Sequence, residues 1–133
     1  MKKKFLILIF SLVFSITNKT VFAEDIYDLT GVWQGINRSF SIEKGHRTWK
    51  KEITIFEQKE RIFKGYFKYA DGVKNFLGVL RLNNKNFYWV SSESKGYIHG
   101  EIINNNTIEV CYTEAHKGAA VGCAILKKIK EIK

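Results

Sequence analysis

The chain predicts an all-β protein, a small eight-stranded antiparallel up-and-down barrel. Short runs in which residues alternate in polarity recur about every ten residues from Gly31-Val32-Trp33 onward, the period of strands rather than helices. Clusters of Gly, Asn, Asp and Ser separate the runs, as tight turns require. No proline occurs anywhere, which permits uninterrupted ladder hydrogen bonding. Helical periodicity is weak beyond the N-terminal segment.

The first strand is expected over 31–42, and a loop holding Gly45 follows at 43–47. A second strand over 48–57 carries Ile53, Ile55 and Phe56, although residues 43–51 could instead hold one helical turn. The third, over 61–70, places Phe63, Gly65, Phe67 and Tyr69 on one face and Lys64 and Lys68 on the other. Asp71-Gly72 is a hairpin signal. The fourth strand, over 75–82, has Phe76, Leu80 and Leu82 in phase, and Asn83-Asn84-Lys85 turns the chain. In the fifth, over 86–92, Phe87 and Trp89 alternate with Tyr88 and Val90. Ser94-Lys95-Gly96 leads to a sixth strand over 97–103, and Asn104-Asn105-Asn106 to a seventh over 107–113. The eighth spans 121–129. Strands joined by tight turns pair with their neighbours, and closure removes two exposed edges. An open sandwich and a five-stranded oligonucleotide-binding barrel are the competing architectures.

The first residues read as an export signal. Lys2, Lys3 and Lys4 precede an apolar stretch at 5–16 broken only by Ser11 and Ser15, and Val21-Phe22-Ala23 offers a cleavage site. That stretch is too short to span a bilayer, which takes about 20 residues. The expected division is a signal peptide at 1–23 and a single barrel domain at 24–133, in the periplasm or outside the cell. Of the 22 basic residues, Lys2, Lys3, Lys4 and Lys19 leave with the signal, so 18 face 13 acidic ones. They are scattered, which argues against a nucleic-acid partner.

Cys111 and Cys123 are the two cysteines. In an exported chain such a pair reads as a disulfide, and here it would join the last two strands. Closing so short a loop contributes about 3 kcal/mol in the chain-entropy model. Without histidines at ligand spacing the pair makes a poor metal site, and no cofactor is expected.

Alternate residues of a strand share a face. If Trp33 points inward, so do Gly35, Asn37, Ser39 and Ser41, giving a polar inner wall able to hydrogen-bond a small ligand. The other reading is a bulge that reverses the phase midway and buries Ile36 and Phe40; the frequency of bulges in barrels favours it. Phe63, Phe67, Tyr69, Phe76, Phe87, Trp89, Tyr97 and Tyr112 could line a pocket, but in a small barrel such residues more simply fill the interior. Tyr97, His99 and Glu101 share a face, and His99 with Glu101 is the one pair that could act as acid and base. No nucleophile elbow accompanies it, and a surface pair is the plainer interpretation. Asn37-Arg38-Ser39 and Asn105-Asn106-Thr107 match the glycosylation pattern.

Leu29-Thr30-Gly31-Val32-Trp33 resembles the opening strand of the calycin superfamily, which includes lipocalins, fatty-acid-binding proteins and avidins. The resemblance implies that the Gly-x-Trp indole closes one barrel end beneath a basic residue of the last strand, here Lys127 or Lys128. Cys111-Tyr112 with Cys123 is similar to a late Cys-Tyr…Cys pair of small secreted bacterial proteins. The polar groups with which avidins hold biotin do not map onto 34–41. The expectation is therefore a non-catalytic binding protein that takes a small, partly apolar ligand in or at the barrel mouth. Trp33, Asn37, Ser39, Trp89, Tyr97 and Tyr112 are its candidate residues. The alternative is a solid barrel whose outer face engages an envelope or host protein.

Overall fold

Eight strands hydrogen-bond in chain order, and the first pairs with the last, so the sheet closes on itself. The computed structural model describes residues 25–69 and 72–132, Tyr69 by its backbone alone. The expected signal peptide at 1–23 and the Asp71 turn position lie outside the described residues. The strands are β1 (Gly31–Ser41), β2 (Gly45–Lys59), β3 (Ile62–Tyr69), β4 (Gly72–Leu80), β5 (Asn86–Ser91), β6 (Gly96–Asn104), β7 (Thr107–Glu114) and β8 (Ala120–Lys130). All regular elements among the described residues are strands. No helix there is long and apolar enough to cross a membrane. The closed antiparallel barrel is consistent with a calycin-like fold and excludes the sandwich and the five-stranded barrel.

The second strand is longer than the sequence suggests. β2 begins at Gly45, and the residues expected to form a loop or a helical turn instead pair with β1, His46 with Phe40 and Arg47 with Ser39. Leu82, expected in phase with the core, lies beyond β4 and is exposed.

The expected phase reversal inside β1 does not occur. The register shift falls between Val32 and Trp33, ahead of the alternating segment, so the face that starts at Trp33 runs unbroken to Ser41. Asn37 is fully buried, whereas Ile36 is 46% exposed and Phe40 51% exposed. The indole of Trp33 is too large to leave the core, and its parity drags Asn37 and Ser39 inward with it.

Trp33 marks the closed end. Its Nε1 donates to the Leu29 carbonyl at 2.9 Å, and Lys128 Nζ lies 4.9 Å from the ring centroid. Lys128 thus takes the basic position; Lys127 faces outward. Gly31, at φ 140°, adopts a backbone that side chains rarely allow, and a Cβ there would sit 2.8 Å from the Lys130 carbonyl oxygen. The preceding residues cap this end: Leu29 N donates to Gln58 Oε1, Gln58 Nε2 donates to the Tyr27 carbonyl, and the Tyr27 hydroxyl donates to the Asn105 carbonyl.

Above the cap, aromatic rings fill the barrel by lying over glycines on the facing strand. Phe63 pairs with Gly78, Phe76 with Gly65 and Phe87 with Gly100. A Cβ on any of these glycines would fall within 2.3 Å of its ring. Phe76 and Phe87 also stack on Trp89 at 4.6 and 5.7 Å, and Phe63 meets the same indole edge-on. Glycine on one strand and a ring on the next is how eight strands make room for four large aromatics.

Candidate functional site

The end opposite Trp33 is bounded by the β1–β2, β5–β6 and β7–β8 connections and by the last residue of β3 and the first of β4. Its inner wall follows from register: Asn37 and Ser39 on β1 face inward beside Trp49 and Arg47 of β2, and Lys51 lies opposite Gly35. Trp49 and Arg47 share the inward parity yet are exposed, so the barrel is not packed shut at this level of β2. Phe67 on β3, Ser91 on β5, Ile98 on β6 and Tyr112 on β7 complete the wall. Tyr112 lies over Gly122, where a Cβ would meet its ring at 2.7 Å and the Ser39 Cβ at 2.8 Å.

Four polar atoms are buried without a hydrogen-bond partner among the described residues: Asn37 Nδ2, Asn37 Oδ1 and Ser91 Oγ on this wall, and Trp89 Nε1 in the aromatic stack beneath it. Each such atom costs about 1–3 kcal/mol, so a barrel selected for stability alone would place apolar groups there. Together they offer donors from the indole, the amide and the hydroxyl, and acceptors from the amide and the hydroxyl.

Lys51, opposite Gly35, has the same inward parity. Its Nζ stands 5.3 Å from the centroid of Tyr112 and 5.9 Å from that of Phe67. The residue keeps some exposure, but its amine is densely surrounded. Burial lowers the ammonium to about 8, with the negative charge of Glu114 opposing the shift. At the rim, His116 Nε2 and Glu114 Oε2 are 3.3 Å apart, and a cleft of about 370 Å³ is bordered by Glu43, Lys74, Glu93, Glu114 and His116.

The sequence-derived candidates separate into three groups. Asn37, Ser39 and Tyr112 line the open half. Trp33 and Trp89 belong to the packed interior, Trp33 as its sealed floor and Trp89 with its ring in the aromatic stack and its Nε1 unpartnered. Tyr97 is corrected: it lies on the outer face, 53% exposed, 6.5 Å from the ring of Tyr88. His99 and Glu101 share that outer face, His99 stacked on Tyr88 at 5.0 Å and Glu101 paired with Lys85 at 2.8 Å. Phe63, Phe76 and Phe87 fill the core, as the simpler reading of the aromatics held. Asn37, the first glycosylation match, is fully buried in the folded chain.

Lys51 escaped the sequence reading. Lys50-Lys51 gives no local clue to which ammonium turns inward; the parity of Ile53 and Ile55 would have placed Lys51 on the core face.

Cys111 and Cys123 are direct cross-strand partners on β7 and β8 and are joined as a disulfide, with Cα atoms 4.0 Å apart. Their bridge lies on the outer face, one residue from Tyr112 and Gly122, and ties the strands that carry that wall. On the adjoining outer wall Ile36 faces Ile125 and Phe40 faces Val121 across the β1–β8 seam. A shallow groove of about 500 Å³ runs there, past Gln34, Arg38 and Lys127.

No protein-family model matches the chain, and no curated protein shows significant sequence similarity to it.

Proposed function

We propose that this is an exported, calycin-like binding protein that holds a small, partly apolar ligand in the open half of its barrel and carries out no chemistry on it. One observation carries the reading: the buried, unpartnered atoms of Asn37, Trp89 and Ser91 on the inner face of the barrel. Buried polar groups in native proteins find partners, and a bound molecule supplies them here. The outward placement of His99 and Glu101 supports a role without catalysis. Export is supported by the Lys2–Lys4 start with its apolar stretch, and by a disulfide, which persists in oxidising compartments.

Native mass spectrometry of the protein purified from its own source tests this. The expected spectrum shows a chain beginning at Glu24 with a small molecule bound. A bare polypeptide mass would favour the second reading, in which the outer apolar seam of Ile36, Phe40, Val121 and Ile125 docks an envelope or host protein.

A further inference from the structure

We propose that the open half of the barrel selects a compact organic monocarboxylate, its carboxylate held by Lys51, Asn37 and Ser91 and its apolar body lying against Phe67, Ile98 and Tyr112. This rests on the interior-binding reading above and adds the ligand's charge and shape.

The argument begins with the balance of hydrogen-bonding groups. The Lys51 ammonium and the Trp89 indole only donate; the Asn37 amide and the Ser91 hydroxyl donate and accept. Donors outnumber acceptors, so the complementary group must chiefly accept. A carboxylate accepts at both oxygens and donates nothing. An alcohol leaves donors unmet, and an ammonium adds donors where acceptors are needed.

Charge gives the same answer. The inward-facing charged residues of the open half are Arg47 and Lys51 on β2, Lys74 on β4 and Glu114 on β7. Glu114 lies beside His116 at the partly exposed rim, and its charge reaches Lys51 without offsetting the cost of burial. Arg47 lies near the rim over the Trp49 ring, and only the Lys51 amine is densely enclosed. One enclosed cation matches one negative charge, which favours a carboxylate over a phosphate dianion. A dehydrated ammonium gains more from an anion than a solvated one does, because the surrounding medium screens less.

The wall sets the rest. Below Lys51 the interior is occupied by Trp89, Phe76 and Phe63, so a long chain has nowhere to descend. A barrel of eight strands has room for one small ligand. Phe67 and Tyr112 offer ring faces on which a flat apolar body can lie.

Three probes sharing a phenyl ring isolate the head group: phenylacetate, 2-phenylethanol and phenethylamine. Calorimetric titration into the purified protein, disulfide formed, is expected to show phenylacetate binding about tenfold more tightly than the alcohol, the increment for a charge-assisted hydrogen bond over a neutral one. The amine is expected not to bind. Lys51→Gln should abolish the preference of acid over alcohol. In the unaltered protein, phenylacetate affinity should fall between pH 7 and pH 9.5, while the alcohol's stays level. That pH series needs no variant, so it decides the matter even if Lys51→Gln misfolds. Equal binding of acid and alcohol would overturn the carboxylate assignment and leave interior binding standing. Binding of none of the three would overturn the assignment too, and the native mass spectrum would then decide interior binding separately.

Discussion

The two halves of the barrel interior obey different rules. Toward Trp33, rings interlock with glycines, the indole nitrogen is satisfied by Leu29, and Lys128 covers the ring. Toward the opposite end the same strands present an unpartnered amide, an unpartnered hydroxyl and an enclosed amine. β1 crosses both regions in five inward positions, from Trp33 to Ser41. Folding therefore draws its stability from one half and tolerates losses in the other, as expected where a site is kept for binding.

Trp33→Ala should show the largest effect. It opens a cavity at the sealed end, strips Lys128 of its ring and leaves the Leu29 carbonyl without its donor. The expected loss is about 4 kcal/mol in urea unfolding. A loss below about 1 kcal/mol would mean that the closed end is not the anchor of the fold.

Gly78→Ala comes next. The new methyl would lie 2.2 Å from the Phe63 ring, which Phe76, Phe87 and Trp89 hold from three sides. Overpacking should cost about 2–3 kcal/mol. Near-neutral stability would show that the aromatic stack yields, and the contrast between the halves would weaken.

Asn37→Leu should move stability the other way. The amide is fully buried and has no partner among the described residues, so an apolar side chain of similar volume should gain about 1 kcal/mol in the same urea assay. A loss of stability would show that the amide is satisfied in solution by bound water and belongs to the core after all.

The two halves also differed in legibility. Eight strands, their order and the closing pair could be read because tight turns and alternating residues are local signals. The role of Trp33 came instead from the resemblance of Gly31-Val32-Trp33 to a calycin opening strand, and the pairing of Cys111 with Cys123 from a lone cysteine pair in a chain read as exported. The open half resisted because its cues conflict: Ile36 and Phe40 look like core residues, Asn37 and Ser39 like surface ones. Only the tertiary demand of the Trp33 indole decides the parity. The start of β2 was obscured for a related reason. His46, Arg47 and Thr48 are all exposed, so the strand there carries no apolar alternation. Tyr97 misled because an aromatic on a strand suggests a lumen, yet Ile98 is the residue whose parity matches Tyr112.

The smallest effect is also the most specific, because it has a pH signature. The Lys51 ammonium titrates at about 8 in the folded protein, against 10.5 unperturbed. Below pH 8 both folded and unfolded chains carry the proton, and the folded one bears the full cost of enclosing it. Between about 8 and 10.5 the unfolded chain holds the proton that the folded one has released, so raising the pH stabilises the fold. Lys51→Met removes the enclosed charge and keeps the stem. At pH 7 the variant should be more stable by about 1 kcal/mol, a figure reduced by the residue's remaining exposure and by the attraction of the Tyr112 and Phe67 rings for the cation. The advantage should shrink steadily above pH 8 and vanish near 10.5. Burial raises the Tyr27 phenol, which makes the fold lose stability at the alkaline end, but both proteins share it and it cancels in the difference. Urea midpoints of the two proteins measured side by side from pH 6.5 to 10.5 supply the curve. A constant offset would place the amine in water and end the distinction between a packed half and a half held open for an anion.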